Sequence, residues 1–329
     1  MIFDGHSDIL YDVTRRRLAG QTQVLERIHV PMLRQGRIEG LVLAFWTDTA
    51  QGETFWAGTP WGNRPEALER TWQMMTALSQ ELPEAPSIRV VHSRAEAEAA
   101  RHAGKIYAFL SVEGMEALGA DLRGLEWYRR NGVCMGTLTW NRENLLATGA
   151  AGDPYSGLTE LGKEAVRRME ALEMRIDVSH LNDGGIRDVL RLARGPVIAS
   201  HSNCRCLCDV RRNLTDEQLR AIRDTGGVVG INSYHGFVHE DPRRQTAETL
   251  ARHAAHMADV MGVEHVACGF DFCHYMGPGN ESARDIETAA QAESVFCWLE
   301  RMGMTAAERD LVARGNFLRV LAGRADCTR

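Results

Sequence analysis

Eight short apolar runs, each followed by a helix-like stretch, constrain this chain more than any other feature. The runs are IFDGH (2–6), GLVLAFW (40–46), IYAFLSVE (106–113), VCMGTLTW (133–140), MRIDVSH (174–180), PVIASH (196–201), GVVGINSY (227–234) and HVACGFDF (265–272). They are rich in Val, Ile, Leu and small residues, the pattern of parallel strands buried on both faces. Amphipathic stretches separate them, including EALERTWQMMTALSQEL (66–82) and KEAVRRMEAL (163–172). LTDEQLRAIRDTGG (214–227) carries a Thr215–Gln218 capping box, inward-facing Leu219 and Ile222, and a Gly stop. Thr305 and Glu308 form a second box, opening TAAERDLVARGNFLRVLAG. Eight such units in 329 residues predict an α/β chain folded as one (β/α)8 TIM barrel domain over 1–329. A doubly wound sheet would need a Gly-rich phosphate loop after its first strand, and GHSD is not one. Segments 47–65 and 273–285 read as long loops over the C-terminal face.

Composition narrows the partners. A net charge of −6 and a pI near 6.1 supply no basic surface for nucleic acid or anionic lipid. No apolar run approaches the roughly 18–20 residues of a membrane span. Eight cysteines follow a polar GHSD stretch rather than a secretory apolar region. They are expected to be reduced thiols of a cytoplasmic protein.

In a barrel the chemistry sits where strands end at the C-terminal face. Reading the ends gives His6 and Asp8 on the first run, Trp46 on the second and Glu113 on the third. Trp140 and Asn141 end the fourth, His180 the fifth, His201 the sixth, Asn232 and Tyr234 the seventh, and Asp271 the eighth. Each alone has an ordinary explanation as a cap or a satisfied polar residue. Five strand ends carrying His, Asp or Glu are costly together unless a cation or hydrogen bonds compensate them. Residues two apart in a strand point the same way, so His6 and Asp8 should both face the barrel axis. Imidazole with carboxylate suits Zn2+ and, less selectively, Mn2+, Co2+ or Fe2+. Five ligands exceed the three of one catalytic zinc and fit two Zn2+ ions bridged by Glu113, able to hold a bridging hydroxide. Asp271 is placed to take the proton of the attacking water and pass it to a leaving amine. An arginine of the 211–212 pair could bind a substrate carboxylate.

Other candidates are weaker. CRCLCDV (204–210) lacks the paired Cys-x2-Cys knuckles of structural zinc and is expected to begin a helical region, its thiols buried as small hydrophobes. His235, His239, His253, His256 and His274 have no matched partners in the sequence and are expected on loops or the surface.

Six motifs together, DGHSD (4–8), VEG (112–114), IDVSH (176–180), SHSNCR (200–205), RRNLTDEQL (211–219) and GFDF (269–272), resemble the membrane or renal dipeptidase family, peptidase family M19, in its soluble bacterial branch of the amidohydrolase superfamily. The resemblance runs nearly end to end. It implies a (β/α)8 TIM barrel of the metal-dependent hydrolase type with two zinc ions, His6 and Asp8 on one, His180 and His201 on the other, and Glu113 bridging. It also implies Asp271 as catalytic aspartate, Arg212 as the contact to the substrate's C-terminal carboxylate, and a homodimer. The implied activity is hydrolysis of dipeptides, often with a D-residue at the C-terminal position. Two positions depart from the family. Mammalian members have a histidine where this chain has Trp140, followed by Asn141, and the usual GSDFDG reads GFDFCH, with Phe270 and Cys273 substituted. Trp140, Asn141, Asn232 and Tyr234 are therefore expected to shape the substrate pocket. The alternatives are another amidohydrolase activity, such as an N-acyl-amino-acid amidase, lactonase or deaminase, and a metal-free barrel used for binding. His-x-Asp in place of His-x-His, the absence of lysine from VCMGTLTW, and all five ligands being present weigh against them.

Overall fold

The computed structural model describes residues 1–47 and 64–322. Among these described residues nine parallel strands form one sheet: β1 Ile2–Ser7, β2 Ile38–Trp46, β3 Ile88–Val90, β4 Ile106–Glu113, β5 Val133–Thr137, β6 Arg175–Asp177, β7 Ile198–Ala199, β8 Val228–Ile231 and β9 Val266–Cys268. Neighbours run β2-β1-β9-β8-β7-β6-β5-β4, and β2 pairs β4 from Gly40↔Tyr107 to Trp46↔Glu113. That last pairing closes an eight-strand ring with helices outside it, the (β/α)8 barrel that the alternation predicts. The eight predicted runs supply the eight ring strands. β3 was not foreseen, because three residues are too few to show a period. It shares an edge of β4 with β5, pairing Ile106–Ala108 while β5 pairs Leu110–Val112.

The five runs from 133–140 onward pair over shorter stretches than the sequence suggests. Pairing stops at Thr137, Asp177, Ala199, Ile231 and Cys268. The polar residues that follow are thereby released from the ladder and free to converge. Two of them, His180 (φ 72°) and Asp271 (φ 58°), take the left-handed conformation, which disfavours any L side chain and cannot continue a strand.

The interior is filled from below. Phe3 of β1 packs on Tyr107, Phe109 and Phe317 at ring-centroid distances of 5.8, 6.1 and 5.4 Å. Phe317 belongs to the C-terminal helix Asn316–Ala322, and a Cβ at Gly5 would come within 2.1 Å of its ring. Glycine at position 5 is therefore required by packing. Val42, Met135, Ile198, Val228 and Ala267 belong to the same buried cluster. Both sequence-read capping boxes form, at Thr215–Gln218 before Asp216–Asp224 and at Thr305–Glu308 before Ala306–Asp310. Among the described residues no helix is long and apolar enough to cross a membrane. The loop expected at 47–65 lies almost wholly outside the described residues.

Emptying the interior plug gives a direct test of this packing. Phe317→Ala should destabilise the fold by about 3–5 kcal/mol. Leu311→Ala, at a 38% exposed position, should cost no more than about 0.5 kcal/mol. Urea unfolding monitored by circular dichroism measures both.

Candidate metal centre

β4 sets the centre. Its register with β2 runs to its last residue, and Thr47 N–H donates to Glu113 O at 3.0 Å, so Glu113 is held to the end of the ladder. The chain then turns sharply at Gly114 (φ 80°), where a Cβ would lie 2.2 Å from Glu116 Oε2, which explains the glycine of VEG. Glu113 is 2% exposed, and its Oε1 lies 2.7 Å from His180 Nε2, 3.4 Å from His201 Nε2 and 3.6 Å from His6 Nε2. The His6 and His201 rings stack at 3.8 Å.

His6 reaches this point through an irregularity. Between Asp4 and Ser7, β1 advances three residues while β2 advances two, from Leu41 to Leu43. One extra residue in a strand bends it and re-aims the next side chain. Gly5 stays against Phe317, while His6 turns to the mouth. Asp8 is not on the strand, as the period of two would require. It precedes the helix Ile9–Leu18 as its N-cap residue, with Oδ1 3.6 Å from His6 Nε2. The structure thus brings the pair together by a bulge and a helix start, not by strand alternation.

The donor set fits a cation. His6 Nε2, Asp8 Oδ1 and Glu113 Oε2 are buried and, among the described residues, have no hydrogen-bond partner. His180 Nε2 faces Glu113 Oε1 at 2.7 Å, His201 Nε2 at 2.8 Å and an Arg212 Nη2 at 3.4 Å. A ring nitrogen has one hydrogen or one lone pair and cannot satisfy three neighbours. Donor atoms of His6, Glu113 and His201 lie within 4.8 Å of one another, as do those of His6, Asp8 and Asp271. Nitrogen and carboxylate ligands of this kind suit Zn2+ or a similar divalent ion.

The bare charges are in conflict. Burial, with Asp8 adding to it, raises Glu113 well above the ordinary carboxylate range. Burial also raises Asp271, against the counter-effect of His6. His180 and His201 are driven well down by burial, then by Arg212 and His6 respectively. Burial opposes protonation of His6 too, but Glu113 and Asp8 override it and hold the ring well above its usual value. His180 and His201 are thereby already in ligand form, and a divalent cation would bring the Glu113 and Asp271 carboxylates and the His6 ring to theirs by displacing protons.

The other predicted residues divide. Asn232 Nδ2 donates to Asp271 Oδ2 at 3.1 Å, and its Oδ1 accepts from Tyr234 N–H at 2.7 Å. Tyr234 packs on Phe237, whose face lies under the Arg212 guanidinium at 5.2 Å. Trp140 lies against His180 at 5.7 Å and Trp46 at 5.5 Å. Asn141 was expected among the substrate contacts, yet its Oδ1 meets His180 Nδ1 at 2.9 Å, so it fixes that ring from behind. Phe270 is buried on Phe272, and the Cys273 thiol sits 3.1 Å from Asp271 Oδ1 and 3.8 Å from Asp8 Oδ2.

Four expectations fail. The segment 204–210 makes turns, because the Thr215 cap starts the helix only at Asp216. Cys204 and Cys208 are buried as expected, but Cys206 is exposed. His253 is wholly buried on Ala247–Met261, at helical spacing with Leu250, Ala254 and Met257. His256 on the same helix has partners in Asp216 and Cys206.

The family model for the membrane dipeptidases, peptidase family M19, matches residues 1–328. The chain belongs to this family. A Schizosaccharomyces pombe protein, the uncharacterized dipeptidase C965.12, is 34% identical over 67% of the chain and 53% of its own length. An uncharacterized Klebsiella pneumoniae protein from the pqqA 5′ region is 36% identical over 63% of the chain and 80% of its own. Among solved structures, a metallo peptidase from Rhodobacter sphaeroides liganded with a phosphinate mimic of the dipeptide L-Ala-D-Ala is 26% identical, with a TM-score of 0.86 over 97% of this chain and 98% of that one. The chain is accordingly an M19 metallo-dipeptidase, a hydrolase acting on dipeptides.

In this M19 chain sequence reading overlooked how the imidazoles are oriented. Ser200 Oγ lies 2.6 Å from His201 Nδ1 and itself donates to Asp177 Oδ2. Asp177 Oδ1 also accepts Ser179 N–H at 2.9 Å and Ser200 N–H at 3.0 Å. The only signal was the repeated Ser-His of IDVSH and PVIASH. Such outer partners fix the ring tautomer, and Ser200→Ala should weaken divalent-metal retention roughly 10–100-fold in chelator competition.

Proposed function

We propose that this chain is a zinc-dependent dipeptidase with two zinc ions, one at His6 and Asp8 and the other at His180 and His201, bridged by Glu113. One observation carries the reading: a buried carboxylate with an unpartnered oxygen stands within 3.6 Å of three ring nitrogens and beside a second unpartnered carboxylate oxygen. Such a pair of ions supplies Lewis acidity, activating water near neutral pH and polarising a carbonyl.

The chain's own residues supply the rest. Asp271 takes the proton of the attacking water and returns it to the leaving amine nitrogen. Its two oxygens are positioned for this by the Asn232 amide and the Cys273 thiol. Arg212, 8% exposed, pairs with the substrate's C-terminal carboxylate. Its Nε has no hydrogen-bond partner among the described residues, while its Nη atoms rest on Ser202 Oγ and His201 O. A guanidinium held at both Nη atoms with its Nε–H unpartnered favours a carboxylate over a neutral group. Trp140, packed between His180 and Trp46, shapes the pocket for the substrate on that side of the centre. The L-Ala-D-Ala mimic held by the Rhodobacter relative supports tolerance of a D-residue at the C-terminal position.

Two substitutions test separate parts. Asp271→Asn should retain bound metal and lower kcat about 10²–10⁴-fold. Near-normal turnover in that variant overturns the proton role. Arg212→Ala should raise KM for dipeptides roughly 10–100-fold, as loss of a charged hydrogen bond implies, and far less for the corresponding dipeptide amides. Equal increases for both substrates remove the carboxylate assignment.

A further inference from the structure

Outside the barrel mouth, three side chains from separate elements converge on one point. Cys206 lies in the turns after β7, Asp216 opens the helix Asp216–Asp224, and His256 sits on the helix Ala247–Met261. Cys206 Sγ is 3.1 Å from His256 Nε2, and Asp216 Oδ1 is 2.8 Å from the same nitrogen. All three donor atoms lie within 4.8 Å of one another. A cysteine, a histidine and an aspartate can also make a nucleophilic triad. That arrangement needs one ring nitrogen for the thiol and the other for the carboxylate. Here both face Nε2, which has one hydrogen or one lone pair and can satisfy only one of them.

We propose that Cys206, Asp216 and His256 form a further divalent-cation site, suited to Zn2+, distinct from the centre at the barrel mouth. In the free protein the thiol can turn its proton to Asp216, and a cation would take the lone pairs of all three groups in its place. Thiolate, imidazole and carboxylate are the zinc donor types, with water completing the tetrahedron. Cys206 is exposed and the other two residues half-buried, so an ion has a path in and a water has room. Tetrahedral zinc sets S···N and N···O separations of about 3.5 and 3.3 Å, so the side chains need to open by roughly half an ångström. The thiol proton leaves to solvent as the ion binds. In the free protein, partial burial and the Asp216 charge hold that thiol protonated, a bias that a cation reverses.

The site has a structural consequence. Cys206 and Asp216 bound the loop that carries Arg212. Two residues earlier, Cys204 N–H already donates to His253 Nδ1 at 3.1 Å, one turn before His256 on the same helix. A bound ion would fasten both ends of the Arg212 loop to that helix and hold the guanidinium in place. This role rests on the function proposed for Arg212, whereas the cation site itself does not.

Metal-free protein titrated with Co2+ tests the site without any assay of activity. Thiolate-to-cobalt charge transfer in the near ultraviolet should appear in the native protein and in Cys273→Ser. Cys206→Ser and His256→Ala should lack the band and retain one ion fewer per chain by elemental analysis, and Asp216→Asn should need more Co2+ to reach it. A native protein without the band, a band that survives in both Cys206→Ser and His256→Ala, or a band lost only in Cys273→Ser would overturn the proposal. If the barrel centre bound no metal, the band and its one-ion step would remain, so the two assignments fail separately.

Discussion

A carboxylate at 2% exposure, ringed by three imidazoles, is the interaction on which the rest of this molecule depends. Left bare, the cluster is costly: burial works against the charged form of every member, and several donor atoms have no partner. The barrel keeps the groups together regardless, because the ladder from Gly40 to Trp46 holds Glu113 at the end of β4. The other candidate ligands arrive from beyond three further strands, His6 and Asp8 both from the end of β1, His180 after β6 and His201 after β7. The fold provides rigidity, and the strand ends provide convergence.

The local devices that place these groups share one physical character: each breaks a regular pattern. β1 inserts a residue to turn His6 inward, and Asp8 leaves the strand for a helix start. His180 and Asp271 adopt left-handed backbones that an uninterrupted strand would forbid. Gly269 at the end of β9 lacks a Cβ because one would meet Ser200 O at 1.7 Å, directly beside His201. Local irregularity of this kind is tolerated where surrounding packing over-determines it, and the buried cluster around Phe3 and Phe317 supplies that packing.

Much of this was legible in the sequence, for reasons that also mark the limits. Eight apolar runs announced eight ring strands because buried parallel strands cannot hide their composition. His6, Asp8, Glu113, His180 and His201 stood out because polar groups at the ends of such runs need compensation. The orienting groups Asp177 and Ser200 did not stand out, and Asn141 did so only as a substrate contact: all three act through hydrogen bonds across 39 residues or fewer of sequence, with no periodic signature. His256 and Cys206 were set aside for the same reason, since only the tertiary fold brings helix Ala247–Met261 against the turns after β7. β3 was too short to register, and strand ends were overestimated where polarity rather than hydropathy stops the pairing.

The most direct test of the binuclear assignment is an anomalous diffraction experiment at the zinc edge on crystals of the zinc-loaded protein. Two peaks flanking Glu113 are expected, one against His6 and Asp8 and the other against His180 and His201. A single peak, or density that leaves Glu113 bound to neither ion, would contradict the assignment.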